Sequence, residues 1–287
     1  MAVSRRQLLG AAGLAVATAA CGGASKGKGA RHVSSSVIRL AEPYGKETLQ
    51  AGEWFVPDGD GPAPTVVLIH GGFWRKQYDR HLEDQVALDL AEQGFLCWNL
   101  DYRSSVVPYP ATFDDVAAGY DHLLHGHFGD RVDAERIAVV GHSAGGHLAA
   151  WVASRGQLPI GAPGHNPALH LPALAIPQAG VVALTQAADQ SLGTGAPQAL
   201  MDGTPSQHPQ RYREGDPVQL LPTGVRTVLV HDAKDDIVPL SQSETYVDAA
   251  TKASDDSTLA VVPGDHFSHI DPSSAAWARV REALRTL

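Results

Sequence analysis

Short apolar runs alternate with segments of helical periodicity along most of this chain. The apolar runs have the length and composition of strands, and they cover residues 65–69, 95–100, 137–140, 227–231 and 259–262. Between them, apolar positions recur at helical spacing in residues 79–93, 113–127, 144–153, 241–253 and 273–287. Continuous apolar strands are typical of sheets covered on both faces, so the pattern predicts an α/β fold with a mostly parallel central sheet.

Two other parts of the chain differ from this alternation. Residues 36–40 and 53–56 predict an antiparallel entry to the sheet, followed by a turn over residues 58–64. Residues 155–224 are rich in Pro, Gly, His and Gln, and they contain a strand-like run at 180–184. Because long, weakly periodic stretches in compact domains usually have a function, we predict a small cap insertion over about residues 185–213. A flexible surface loop is the alternative.

The N-terminal segment has the pattern of an export signal. Arg5 and Arg6 precede a short Ala- and Gly-rich apolar stretch that is too short to span a membrane. The paired arginines resemble a twin-arginine signal, an ordinary secretory signal being the alternative. We therefore expect an exported protein, with residues 1–31 as signal peptide and tether and residues 32–287 as the folded domain.

The two cysteines have different expected fates. Small residues before Cys21 and a Gly-rich stretch after it resemble a bacterial lipoprotein processing site, although Thr18 replaces the usual Leu. The sequence leaves open a lipid anchor at Cys21 in the cell envelope or a soluble secreted or periplasmic protein. Cys97 lies in an apolar run, so we expect a buried thiol and no structural disulfide.

The composition restricts the classes of partner. The net charge is -9 at pH 7, and the predicted leader carries Arg5 and Arg6, so the remainder is more acidic still. Such a balance predicts neither a nucleic-acid partner nor a basic membrane-binding face. Histidines and carboxylates form no H-E-x-x-H or Cys/His pattern, so we expect no metal site. Nothing in the pattern indicates an oligomeric state.

The strongest chemical signal is a serine between a predicted strand and a predicted helix. The sequence there is Gly141-His142-Ser143-Ala144-Gly145-Gly146. A G-x-S-x-G motif in this context predicts a nucleophile elbow, in which small residues flank the serine because the turn is tight. Ser143 is the candidate nucleophile. The following helix directs its N-terminal amides, Ala144 among them, toward developing negative charge.

A second glycine-rich turn follows the strand predicted at 65–69, with the sequence His70-Gly71-Gly72-Phe73-Trp74. Gly71 and Gly72 allow the backbone to approach a substrate closely, so we expect the amides of Gly72 and Phe73 to bind an oxyanion together with that of Ala144. The alternative is a plain turn. Trp74 is expected to line the substrate pocket, or else to serve only packing.

The partners of the serine are expected after later strands. Asp232, Asp235 and Asp236 follow the strand at 227–231, and chemistry alone does not choose between them. Two histidines, His266 and His269, follow the last predicted strand. We predict His266 as the base because it is closer to the strand end, with His269 as the alternative.

Together these motifs resemble the esterase/lipase group of the α/β-hydrolases, which includes kynurenine formamidases and related carboxylesterases. The resemblance covers the chain from about residue 33 and implies an α/β-hydrolase domain over residues 32–287. It also includes Asp101-Tyr102-Arg103, an element that shapes the pocket floor in this group. Alignment with the group's G-x-x-D-x-x-V-P loop implies Asp235 as the acid, with Asp236 next. Asp232 stands where that loop usually has Gly.

The resemblance implies a serine hydrolase that cleaves carboxylic esters through an acyl-enzyme intermediate, without a cofactor. Its expected partner is a small-molecule acyl substrate. Aryl formamidase or another amide hydrolase is the alternative, and predicted export favours the ester. A non-catalytic binding module is disfavoured because every candidate catalytic position carries a competent residue.

Overall fold

The computed structural model describes residues 37–287. The predicted signal peptide, the twin-arginine motif and Cys21 lie outside the described residues. All the described residues belong to one compact unit.

An eight-stranded sheet forms the centre of this described part, in the order β1-β2-β4-β3-β5-β6-β7-β8. The first two strands join it antiparallel, as predicted, and the others run parallel. The strands are β1 (Ile38–Pro43), β2 (Ala51–Val56), β3 (Ala63–Ile69), β4 (Leu96–Leu100), β5 (Val132–His142), β6 (Leu174–Gln178), β7 (Arg226–Asp232) and β8 (Ser257–Val262). The predicted α/β-hydrolase fold is confirmed.

Helices cover both faces of the sheet. They are α1 (Asp84–Glu92), α2 (Ala111–Asp121), α3 (Ala144–Ser154), α4 (Leu184–Asp189), α5 (Leu192–Met201), α6 (Pro209–Gly215), α7 (Ser241–Lys252) and α8 (Ala275–Leu284). Short 3₁₀ turns add to them at Arg80–Glu83, His122–Leu124, Gly129–Arg131, Arg155–Gln157, Pro217–Leu220 and His266–Ile270. Within residues 37–287, none of the helices is long and apolar enough to cross a membrane.

The continuous apolar runs are explained by a core on each side of the sheet. In β3, Val67 and Ile69 pack into the core that α2 and α3 cover, whereas Val66 and Leu68 pack into the core covered by α1 and α8. Successive strand side chains point to opposite faces, so every position of such a strand must be apolar. Cys97 in β4 is a buried free thiol, as expected.

The strand predicted at 180–184 is wrong. The strand of this region is β6, Leu174–Gln178, and residues 180–183 lead into α4 without strand pairing. Pro177 lies inside β6 and cannot donate a ladder hydrogen bond, so the sequence reads poorly as a central strand. The apolar side chains of Val181 and Val182, which suggested a strand, are fully buried without belonging to one.

The predicted cap, residues 185–213, contains α5, most of α4 and most of α6. Its periodicity is weak because α4 is short and because α5 includes left-handed residues at Gly193, Thr194 and Gly195. The segment contacts the glycine-rich turn after β3, where the Arg75 guanidinium donates to the Gly193 carbonyl at 2.5 Å. Its function as a cap stays a prediction.

Candidate active site

Ser143 lies in a strained turn between β5 and α3. Its backbone angles are φ 56° and ψ -117°, outside the regions that a non-glycine residue ordinarily adopts. The turn is pressed against β3, because a Cβ added at Gly145 would lie 1.9 Å from the Ile69 carbonyl oxygen. The Ser143 amide donates to the Gln178 carbonyl at 2.8 Å. Strain of this kind persists only where the surroundings enforce it, and it is common at functional sites.

The turn after β3 lies next to Ser143. Gly72, Phe73 and Trp74 all have positive φ, at 106°, 52° and 54°. A Cβ at Gly71 would lie 2.8 Å from the His142 carbonyl oxygen, so only glycine fits there. Ala144 is the first residue of α3, and its amide therefore has no acceptor within the helix. The turn after β3 is therefore tightly bent and packed against the backbone of His142, next to Ser143.

His266 and Asp235 form a close hydrogen-bonded pair. The Nδ1 atom of His266 donates to Oδ2 of Asp235 at 2.6 Å. Oδ1 of Asp235 accepts from the amides of Ile237 at 2.9 Å and Val238 at 2.8 Å. Since Nδ1 carries the proton of this bond, the neutral ring has its lone pair on Nε2.

The charge of Asp235 is held by its surroundings. Burial alone would raise the pKa of this carboxyl, but hydrogen bonds from His231, His266 and the Val238 amide outweigh it. The pKa of Asp235 is therefore well below its ordinary value, and the group is a carboxylate throughout the neutral range. A buried carboxylate so placed orients the imidazole and stabilises its protonated form.

The alternative partners lie elsewhere. Asp236 is exposed, whereas the Asp235 side chain has no exposed surface. His269 is fully buried, with its Nε2 3.9 Å from Oδ2 of Asp232, too far for a hydrogen bond. Burial, together with the nearby His231 and His266, lowers the pKa of His269 to about 3.

Ser143 and His266 line one cavity of about 160 Å³. Its other walls are Gly72, Phe73, Tyr78, Leu82, His142, Ile237, Phe267 and Ile270. Among the described residues, those lining it include no Asp, Glu, Lys or Arg. The cavity therefore suits an uncharged, largely apolar ligand next to Ser143.

Trp74 does not line this cavity. It is fully buried in the core and meets the His147 ring edge-on, with centroids 5.2 Å apart. Of the two roles considered from the sequence, the structure shows the packing contact.

Other cavity residues were missed by the sequence analysis. Ile237 and Phe267 lie within two positions of Asp235 and His266, so adjacency to the candidate triad is the signal that could have found them. Tyr78 and Leu82 carry no such signal, because they reach the cavity through the course of the chain after β3. A Cβ at Gly72 would meet the Tyr78 ring at 2.3 Å, which shows how closely that ring covers the turn.

The Asp-Tyr-Arg element supports the turn from behind. The Tyr102 hydroxyl donates to the His70 carbonyl at 2.9 Å, and its ring stacks on His70 with centroids 4.3 Å apart. Arg103 makes a bidentate pair with the buried Asp115 at 2.8 and 2.6 Å. The Tyr102 contacts therefore hold the start of the turn after β3, whereas the Arg103 pair binds α2, and neither side chain lines the cavity.

Known structures share the fold of this protein. Esterase B from Lactobacillus rhamnosis superposes with a TM-score of 0.76 at 21% identity, covering 87% of this chain and 84% of that chain. A carbohydrate esterase from gut microbiota gives a TM-score of 0.73 at 18% identity, covering 87% of this chain and 95% of that one. At such identities the likeness establishes the fold.

Sequence relatives include enzymes of two activities. The probable carboxylic ester hydrolase LipM of Mycobacterium tuberculosis is 29% identical over 212 residues, which are 70% of this chain and 48% of LipM. A kynurenine formamidase of Danio rerio is 30% identical over 141 residues, 44% of this chain and 41% of that protein. The chain thus spans about half the length of the curated relatives it matches.

The family is identified by a match over most of the described domain. The family model described as BD-FAE matches residues 54–249, from β2 to α7, and so includes Ser143, Asp235 and the turn after β3. The predicted resemblance to the esterase/lipase group and to kynurenine formamidases is confirmed by these relatives. Because the match covers more than half of the chain, this protein belongs to the BD-FAE family of α/β-hydrolases.

Proposed function

We propose that this protein hydrolyses carboxylic esters, with Ser143 as nucleophile, His266 as base and Asp235 as the residue that orients it. One observation carries the proposal. Ser143, in its strained turn, shares a cavity with His266, whose other ring nitrogen is 2.6 Å from a buried carboxylate. A serine hydroxyl needs such a base to become a nucleophile.

The first half-reaction forms an acyl-enzyme. His266 Nε2 takes the proton of Ser143 Oγ as that oxygen attacks the ester carbonyl carbon, and the carbonyl oxygen becomes an oxyanion. The amides of Gly72, Phe73 and Ala144 stabilise this oxyanion. The tetrahedral intermediate then collapses, the bond to the alkoxy oxygen breaks, and protonated His266 gives its proton to the leaving alcohol.

The second half-reaction repeats these steps with water. His266 removes a proton from water as its oxygen attacks the acyl carbon, and Ser143 leaves as the alcohol with the proton returned by His266. The Asp235 carboxylate remains ionised and stabilises each imidazolium. No residue other than those of the site and no cofactor is needed for this balance.

The cavity supports a small uncharged ester as the substrate. Its walls combine Phe73, Tyr78 and Phe267 with aliphatic side chains, and its volume is about 160 Å³. A charged substrate would lose hydration there without gaining an ionic partner. Relatives described as esterases, such as LipM, support the same class of reaction.

Amide hydrolysis is the second candidate, because relatives include kynurenine formamidases. The same residues would cleave an N-formyl aryl amide by the same steps. A substrate that carries an amino-acid group is less well matched, since the described cavity walls offer no fixed charge to bind it.

The deciding experiment is hydrolysis of p-nitrophenyl acetate and of an N-formyl aryl amide by the purified protein. We expect faster turnover of the ester and a fall to the background rate in Ser143→Ala. Ser273→Ala removes an exposed serine hydroxyl and serves as the matched control with unchanged rates. Undiminished hydrolysis in Ser143→Ala would refute Ser143 as the nucleophile. Faster turnover of the amide than of the ester would replace ester hydrolysis by amide hydrolysis as the proposed function.

A further inference from the structure

The 3₁₀ turn that carries His266 starts far from Ser143 in the sheet. It follows β8, the edge strand, whereas Ser143 follows β5, and β6 and β7 lie between them. The residues of β8 are mostly exposed or half-buried. Packing under this strand therefore restrains the turn less than packing around β5 restrains Ser143.

The internal shape of the turn is set locally. The Asp265 carboxylate accepts from the amides of Phe267 at 3.0 Å and Ser268 at 2.9 Å, and forms a capping box with Ser268. The Ser274 hydroxyl, just before α8, donates to the Ser268 carbonyl at 2.5 Å. These bonds join near neighbours in the chain, so they do not fix the turn relative to Ser143.

Two buried side chains from the sheet do reach the turn. Nε2 of His142, at the end of β5, donates to the His266 carbonyl at 2.8 Å. Nε2 of Gln178, at the end of β6, donates to the His269 carbonyl at 2.8 Å. His142 is 3% exposed and Gln178 is fully buried, so water cannot readily replace either bond.

Both side chains are tied to the nucleophile. His142 directly precedes Ser143, and the Gln178 carbonyl accepts from the Ser143 amide at 2.8 Å. His142 and Gln178 are also register partners in the β5–β6 ladder. These two side chains therefore connect the backbone of Ser143 to the backbone of the turn that carries His266, in addition to the bond between the His266 ring and Asp235.

His142 acts here as a fixed donor. A carbonyl oxygen only accepts, so the ring carries its proton on Nε2, and Nδ1 has no partner within residues 37–287. Burial, and then the neighbouring His266 and His269, lowers the pKa of His142 well below its usual value. The ring stays neutral beside His266, 4.6 Å away between centroids, and so does not oppose the imidazolium that catalysis forms.

We propose that His142 and Gln178 are positioning residues that dock the turn carrying His266 onto the ends of β5 and β6, and so set its distance from Ser143. This inference rests on the proposed function, because its consequence is measured on the hydrolytic step. Misplacement by about 1 Å costs up to about 10²-fold in rate at such sites.

The test compares variants with side chains of similar size that either remove or retain the donated hydrogen bond. His142→Leu and Gln178→Met each remove a donor, whereas His142→Gln retains an N–H at a comparable reach. His170→Leu is the matched control, because His170 Nε2 binds the Ala134 carbonyl at 2.6 Å near the opposite end of β5. For each variant, kcat and KM on p-nitrophenyl acetate are measured together with Tm.

We expect kcat to fall about 10- to 100-fold in His142→Leu and Gln178→Met. KM should change less than about threefold in Gln178→Met, because Gln178 does not line the cavity, whereas His142 is one of its walls. His142→Gln should recover kcat to within about fivefold of the wild type, and His170→Leu should keep it within about twofold. The inference is overturned if His142→Leu retains kcat, if His142→Gln restores nothing, or if kcat in all variants, His170→Leu included, follows Tm alone.

Failure of the proposed function would be recognised separately, as a wild type that hydrolyses nothing. In that case the docking is judged by hydrogen exchange of the amides in residues 266–270 of the full chain. Exchange at least about tenfold faster in His142→Leu than in the wild type and in His170→Leu would support it. Equal exchange in all of these proteins would overturn it.

Discussion

Asp235 and Asp236 are adjacent in the chain but have opposite environments. The Asp235 carboxylate is buried and accepts from His266, Ile237 and Val238, whereas Asp236 is exposed. Hydrogen bonding of this kind fixes which nitrogen of the histidine carries the proton. The neighbouring pair therefore offers a sharp test of the proposed triad.

Asp235→Asn is expected to lower kcat for p-nitrophenyl acetate by about 10³- to 10⁴-fold, because an amide favours the wrong histidine tautomer and leaves the imidazolium uncompensated. Asp236→Asn changes the same charge one residue away and should stay within about twofold. Steady-state kinetics with matched protein concentrations measures both. An equal loss in the two variants would contradict the assignment of Asp235.

Glu83 is a buried acid that the proposed reaction does not use. It is 1% exposed, and neither carboxyl oxygen has a hydrogen-bond partner within the described residues. Burial, and then the charge of Asp84, raises the pKa of Glu83 to about 8. The folded state thus holds a proton that the unfolded state releases between about pH 4.5 and 8.

The free energy of unfolding should therefore fall as the pH rises through this window. Glu83→Gln keeps the shape without the titration, so we expect it to be more stable than the wild type at pH 9 by about 1–3 kcal/mol and similar to it at pH 4.5. Urea denaturation at both pH values measures the difference. Glu282→Gln, at an exposed acid, is the control, and a gain that does not depend on pH would contradict the explanation.

The left-handed residues at the start of α5 bring the predicted cap into contact with the turn after β3. Gly193 has φ 58° and Gly195 has φ 81°, so a side chain at either position is strained. Only at Gly193 would a Cβ meet the Phe73 ring, at 2.5 Å, whereas at Gly195 the nearest atom is 3.6 Å away. Alanine at Gly195 therefore tests backbone strain alone, whereas alanine at Gly193 adds a steric clash with the Phe73 ring.

Gly193→Ala is expected to lower kcat/KM for the ester about tenfold, because Phe73 must shift and its amide moves with it. Gly195→Ala should lower the free energy of unfolding by about 1 kcal/mol, as left-handed alanine does, and leave kcat/KM within about twofold. Kinetics and thermal unfolding of both variants make the comparison. Equal kinetic effects would show that α5 does not act on the turn through this contact.

The N-terminal segment bears on where the whole protein is located in the cell. It lies outside the described residues, and we propose, from its sequence, export by the twin-arginine route with Cys21 as a lipid-anchor site. Replacing Arg5 and Arg6 together by Lys should retain the protein inside a twin-arginine-competent bacterial host. Cys21→Ser should move exported protein from the membrane fraction to the soluble fraction. Membrane attachment that persists in Cys21→Ser would contradict a lipid anchor at Cys21 and leave the export proposal unaffected.

Much of this molecule was readable from consecutive residues. The apolar runs of β3, β5 and β7 predict buried strands because both faces of each are covered, and the glycines around Ser143 predict the elbow because the turn leaves no space for side chains. These requirements are local, so consecutive residues in the sequence are enough to predict them. Pro177 shows the limit, because β6 forms through its partners β5 and β7 despite a residue that disfavours strands.

Features that join distant parts of the chain needed the three-dimensional fold. The burial of Trp74, the cavity walls from Tyr78 and Leu82, and the bonds from His142 and Gln178 to one turn all depend on strand order and loop course. The aspartate beside His266 was open on chemistry alone, and only the family resemblance implied Asp235. Hydrogen bonds and apolar contacts act over a few ångströms in space, without regard to separation in sequence. The local pattern therefore determined seven of the eight strands of the described sheet and the tight turn at Ser143, whereas the packing of loops at the carboxyl ends of the strands determined which side chains meet there.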